Sequence, residues 1–69
     1  MKISGRNFIE GTVKTIQKGS TTAHVQLEIS GGVILNASIT NEAIDELGLT
    51  VGKKAHALIK SSDVMIAVD

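Results

Sequence analysis

Two alternating apolar–polar runs flank a Gly-Gly turn, one short capped helical stretch follows them, and further extended runs lie toward both ends of the chain. These features predict an all-β chain with small α content. Five short strands, with the helix between the third and fourth, is the element order of an OB-like Greek-key barrel, and that is the fold class expected. A split sheet or an SH3-like barrel uses similar elements, so strand count leaves those topologies open.

The opening stretch to Ile16 reads as extended, with Ile9 and Val13 facing one way around Gly11. Ile16 falls out of phase with them, which predicts a bulge or bend near Lys14. Next, Ala23, Val25, Leu27 and Ile29 alternate with His24, Gln26 and Glu28, the period of a half-buried strand. Ser30-Gly31-Gly32 supplies a turn, and Val33, Leu35, Ala37 and Ile39 continue the alternation, so the two runs form a β-hairpin. Thr40 or Asn41 can N-cap a short helix whose apolar stripe is Ala43, Ile44 and Leu47, with Glu42 and Asp45 suiting its positive end. Gly48 suits the left-handed position after the helix, with Leu49 packing back toward Ile44. Residues 50–53 are a loop, and residues 54–60 and 64–68 read as two more strands broken at Ser61-Ser62-Asp63.

Sixty-nine residues leave room for one domain, expected over residues 1–69. Seven basic side chains balance seven acidic ones, which argues against nonspecific binding to nucleic acid. The absence of cysteine excludes a disulfide framework, a thiolate zinc site and a cysteine nucleophile. No apolar run approaches the ~20 residues of a membrane span, and the first seven residues lack the apolar core of a signal peptide, so a cytoplasmic protein is expected. Ordering each residue costs about 1.5 kcal/mol, which brings a lone core of this size near break-even. Yet 42% of the residues are hydrophobic. Self-association is the remaining stabiliser, so a homo-oligomer is expected.

Catalysis finds little support. His24 and His56 lie in the polar phases of two strands, and neither a Ser-His-Asp order, a His-x-x-x-His spacing nor a Gly-rich phosphate loop occurs. A solvated helix face accounts for Glu42, Asp45 and Glu46. No enzyme is expected. Oligonucleotide binding needs aromatic platforms and a basic groove, whereas Phe8 is the single aromatic residue. What remains is a distribution of small donors. Lys2, Ser4, Arg6 and Asn7 surround Gly5, while Lys60, Ser61 and Ser62 lie near the other end, and no Lys or Arg occurs between Gly19 and Gly52. A barrel can bring those ends together. Arg and Lys supply charge, hydroxyls and backbone N–H groups supply direction, and Gly5 permits close approach. Such a set suits a small tetrahedral oxyanion; ordinary loop-edge residues of the same types are the competing reading.

Ser4-Gly5-Arg6-Asn7 followed by Glu10-Gly11-Thr12-Val13 resembles the opening of the molbindins, the Mop/TOBE-type small molybdate-binding proteins of bacteria. The similarity continues through Ile39-Thr40, Glu42, Ile44, Leu47-Gly48-Leu49, Val51-Gly52-Lys53, Ala57, Ile59-Lys60-Ser61-Ser62 and Val64-Met65-Ile66, and so covers the entire chain. A single unit of this length resembles the stand-alone members. The resemblance implies an OB-like fold assembled as a homohexamer, a trimer of dimers, with molybdate or tungstate held between subunits by hydrogen bonds and charge. No direct bond from protein atoms to the metal, no organic cofactor and no membrane partner are implied. By position, the dimer-interface site falls on Ser4, Gly5, Arg6, Lys60 and Ser61, with Thr40 coming from the partner subunit. The family motif usually reads Ser-Ala-Arg-Asn, and here position 5 is Gly, which leaves the donors intact but loosens the local backbone. The implied role is intracellular molybdenum storage and homeostasis. A pterin-binding protein and a purely structural interaction module are the alternatives, and the scarcity of aromatic faces counts against the first.

Overall fold

The computed structural model describes residues 6–69. Its sheet is built around β1 (Asn7–Lys18), flanked by β2 (Thr22–Ile29) and β4 (Lys54–Ile59), with β3 (Ile34–Thr40) outside β2. The order is therefore β3-β2-β1-β4, with every neighbouring pair antiparallel. Along β1 the less exposed residues are Asn7, Ile9, Gly11 and Val13, then Ile16. The phase jumps because Val13 pairs with Leu27 and Thr15 with Gln26, leaving Lys14 as an extra, unpaired residue. This is the bulge that the phase of Ile16 predicts, and a bulge of this kind bends its strand and increases the twist.

Curling of the sheet also depends on Gly11. A Cβ there would lie 2.7 Å from Glu28 O and 2.8 Å from Leu27 Cγ, so β1 and β2 approach closely only because position 11 has no side chain. The concave face carries the core, Val13, Ala23, Val25 and Leu27, with Ile44 of α1 (Asn41–Leu47) packed onto it. Ile16, Ile39, Leu49, Ala55 and Ala57 pack around this centre.

Both helix ends follow the sequence. Thr40 Oγ1 accepts a hydrogen bond from Ala43 N at 3.0 Å, and Gly48 takes a left-handed conformation at φ 63°. Leu49 N then donates to Ile44 O, and Lys53 Nζ donates to Leu47 O and Gly48 O, which satisfies the helix's terminal carbonyls. The hairpin turn is a tight single turn at Ser30–Gly32, in which Gly31 and Gly32 both have positive φ.

The fifth strand is where expectation and structure differ. After β4, a tight turn at Ser61–Asp63 is closed by hydrogen bonds from Asp63 N to Lys60 O and from Val64 N to Ser61 O. Beyond it, residues 64–68 join no ladder, and Met65, Ile66 and Val68 are 92%, 86% and 90% exposed. The chain leaves the sheet at the turn, so the apolar run meets no strand edge of its own subunit. An apolar cavity of about 300 Å³ consequently lies open between the β3 and β4 edges, floored by Val25 and Leu27 and walled by Leu35, Ile39, Ala57 and Ile59.

Candidate functional site

Register decides which donors meet. Asn7 pairs with Ile59, and Asn7 Nδ2 donates to Ile59 O at 3.1 Å, tying the start of β1 to the end of β4. Arg6 immediately precedes this pair, and Lys60 and Ser61 immediately follow it, so the antiparallel arrangement gathers all three at one end of the sheet. The two ends of the basic layout in the sequence thus meet here. All three residues are exposed. Ser4 and Gly5, as well as Lys2, lie outside the described residues.

Thr40 is placed elsewhere. It pairs with Thr22, and Ala23 pairs with Lys18, so Thr40 belongs to the Lys18 end of β1. In the ladder of one subunit Thr40 therefore stands at the end of β1 opposite to Arg6, Lys60 and Ser61. The hydroxyl of Thr40 nevertheless keeps bonding capacity: accepting from Ala43 N uses one lone pair and leaves its proton free to donate. Beside it, Asn41 Nδ2 donates to Gly19 O while Asn41 Oδ1 is enclosed without a partner.

Ion pairing isolates the same end. Lys14 lies 3.4 Å from Glu28, Lys18 lies 2.7 Å from Asp45, and Lys54 lies 3.6 Å from Glu10. Lys53 is engaged by the helix carbonyls. Among the described residues, Arg6 and Lys60 are the basic side chains with neither a carboxylate nor a carbonyl partner. Cationic and donor-rich, with Asp63 in the adjoining turn but in no ion pair with Arg6 or Lys60 among the described residues, this end can hold an anion by charge-assisted hydrogen bonds. Among the described residues no cluster of three His, Asp or Glu side chains is placed to hold a metal ion.

The histidines join other networks. His56 Nε2 lies 3.5 Å from Glu10 Oε2, and its ring sits 4.4 Å from that of Phe8. His24 Nδ1 and Ser38 Oγ are 3.1 Å apart on the outer face of the β2–β3 hairpin. Thr15 Oγ1 donates to Gln26 Oε1 and Gln26 Nε2 to Asn36 Oδ1, a polar ladder across three strands. Alternation alone assigns no role to this ladder; its signal in the sequence is that Gln26, Asn36, His24 and Ser38 all occupy the polar phase of the hairpin.

Comparison with known proteins places this geometry in a class. The TOBE domain matches residues 3–66. A probable molybdenum-pterin-binding protein of Haemophilus influenzae is 45% identical over 69 residues, covering the whole of both chains. Among solved structures, a molybdate-binding protein from Sporomusa ovata superposes with a TM-score of 0.93 at 40% identity, covering 99% of this chain and all of that one. The molybdate-bound form of ModG, described as a cytoplasmic molybdate-binding protein, gives a TM-score of 0.90 at 45% identity over 94% of this chain and 46% of its own length. The chain belongs to the TOBE domain family, and its curled, mostly β architecture is the OB-like fold of these molybdate-binding neighbours. This is a family of molybdate-binding proteins rather than of enzymes.

Proposed function

We propose that the protein binds molybdate as a dianion between subunits of a homo-oligomer, in a site made by Ser4, Gly5, Arg6, Lys60 and Ser61 of one subunit and Thr40 of another. The observation that carries this reading is the register of β1 and β4, which sets Arg6 beside Lys60 and Ser61 while Thr40 lies at the opposite end of the sheet. Arg6 and Lys60 neutralise the charge, and Ser4, Ser61 and Thr40 hydroxyls with the backbone at Gly5 orient the four oxygens. Tungstate, of like charge and shape, occupies the same site, and sulfate is excluded by its smaller size. Residues 1–69 act as one oxyanion-binding module, assembled as a trimer of dimers, with no catalytic step and no organic cofactor. The role is cytoplasmic storage and buffering of molybdenum. Among the described residues no helix is long and apolar enough to cross a membrane.

The Haemophilus relative is named a probable molybdenum-pterin-binding protein, which favours a second reading in which a pterin is bound with the metal. Phe8, the single aromatic residue, already stacks near His56, which leaves little to sandwich a pterin ring. Calorimetric titration with molybdate in the absence of any pterin tests both. Saturable heat with molybdate and little with sulfate at equal ionic strength is expected. Equal, weak responses to the two anions refute the oxyanion reading.

A further inference from the structure

Asn7 stands where the pattern of β1 asks for an apolar residue. It shares the inward phase with Ile9, Gly11 and Val13, and its cross-strand partner Ile59 faces the same way, both half-buried. Asn is depleted in strands, and a polar group withdrawn from water costs free energy unless it is hydrogen-bonded. The bond it makes is with the carbonyl of Ile59 at 3.1 Å, across 52 residues of sequence. A carbonyl only accepts, so the amide nitrogen is the atom that faces it.

That carbonyl belongs to the peptide unit joining Ile59 to Lys60. A peptide unit is planar, so holding its oxygen also sets the direction of the Lys60 N–H. The next unit is held as well, because Lys60 O accepts from Asp63 N at 2.9 Å in the turn at Ser61–Asp63. Lys60 lies between the two units with φ −66° and ψ 140°. The two soft dihedrals of a residue relate its flanking planes, so pinning both planes fixes the direction in which the Lys60 side chain leaves the backbone. The turn holds one plane and Asn7 holds the other. One register step beyond the Asn7–Ile59 pair, Arg6 comes opposite Lys60. Like charges directly opposite each other on a sheet are destabilising, and the Asn7 bond opposes their separation.

We propose that Asn7 is a positioning residue of the oxyanion site, a clamp that aims Lys60 and keeps it beside Arg6. What Lys60 is aimed at rests on the oxyanion reading above; that Asn7 holds it does not.

Asn7→Val supplies the apolar residue that the inward phase calls for and removes the bond. It is expected to melt near the parent, since apolar burial offsets the lost bond. It is also expected to bind molybdate about fivefold more weakly, the equilibrium weight of one hydrogen bond. In a Lys60→Ala background the same substitution is expected to change affinity by less than about twofold, because coupled residues are not additive. Parental affinity in Asn7→Val, or an equal loss in both backgrounds, overturns the proposal. A second measurement needs no anion. The amide ¹⁵N order parameters of Lys60 and Ser61 are expected to fall in Asn7→Val, while those of Val25 and Leu27 stay as in the parent. Unchanged order at Lys60 overturns the clamp. Asn7→Ala, which adds no bulk, takes the place of the valine variant in both measurements if that variant does not fold. A parent that fails to bind molybdate, with Lys60 loosened in Asn7→Val, removes the oxyanion reading and leaves the clamp standing.

Discussion

Thr40 has one role in the structure and a second in the proposed site, and one pair of substitutions separates them. Its Oγ1 caps α1 by accepting from Ala43 N at 3.0 Å, and in the proposed site its proton points to a dianion on a neighbouring subunit. Thr40→Ala removes both functions. Loss of an N-cap costs about 1 kcal/mol, which for a domain of this size lowers Tm by roughly 4–8 °C. Thr40→Asp keeps the cap, because a carboxylate oxygen accepts the same hydrogen bond and Asp ranks among the best N-caps. It also places a negative charge about 4 Å from a doubly charged ligand. Even at the dielectric constant of water that repulsion is about 2 kcal/mol, close to a thirtyfold loss of affinity, and a partly shielded site enlarges it. Differential scanning calorimetry and molybdate titration are run on the two variants and the parent at one protein concentration. Thr40→Asp is expected to melt near the parent and bind at least thirtyfold more weakly. Parental affinity in Thr40→Asp refutes the placement of Thr40 at the site. Melting as low as that of Thr40→Ala refutes the cap as the source of its stability.

Other substitutions probe the remaining steps. Gly11→Ala puts a Cβ 2.7 Å from the Glu28 carbonyl; overpacking of this kind costs about 1–3 kcal/mol, and an unchanged urea midpoint shows that the close approach is not needed. Arg6→Ala and Lys60→Ala are each expected to weaken molybdate binding at least tenfold, since a hydrogen bond to a charged group contributes about 1.5–3 kcal/mol, with the melting temperature little changed. Lys14→Ala, whose side chain is half exposed beside Glu28, is expected to bind as the parent does, and equal losses in all three variants indicate a diffuse charge effect in place of a site.

Much of this molecule is written locally in its sequence. The out-of-phase Ile16 locates the extra residue at Lys14, because a bulge shifts side-chain phase by one and nothing else in a strand does. Thr40 and Gly48 mark the helix ends by chemistry that acts within four residues. The meeting of Arg6 with Lys60 is a matter of register between Asn7 and Ile59, 52 residues apart, and the basic residues at both ends of the chain hinted at it without fixing it. Residues 64–68 show the limit of pattern reading. Their apolar run reports that the segment needs cover, but hydrophobicity carries no label for which chain supplies it. The separation of Thr40 from the other donors is likewise invisible to periodicity, because it follows from strand order, which local alternation does not encode.

Zero net charge and small size now have one physical consequence. The acids Glu10, Glu28 and Asp45 are drawn to Lys54, Lys14 and Lys18 on the strands, so neutrality is achieved along the body of the sheet. Arg6 and Lys60 are left together at one end, where mutual repulsion opposes bringing a second copy's charges near. A dianion reverses the sign of that effect. If molybdate binds only where two subunits meet, it stabilises the assembly by about 2.7 kcal/mol at a hundred times its Kd, through mass action. At roughly 4–8 °C per kcal/mol, Tm rises by about 10–20 °C. Because assembly is part of the same equilibrium, Tm also rises with protein concentration. Thermal melts over a hundredfold range of protein concentration, with molybdate or with sulfate at matched ionic strength, check this. A Tm that rises with molybdate yet does not depend on protein concentration means that the ligand binds within a single subunit, and the interfacial site is then wrong even if the affinity is high.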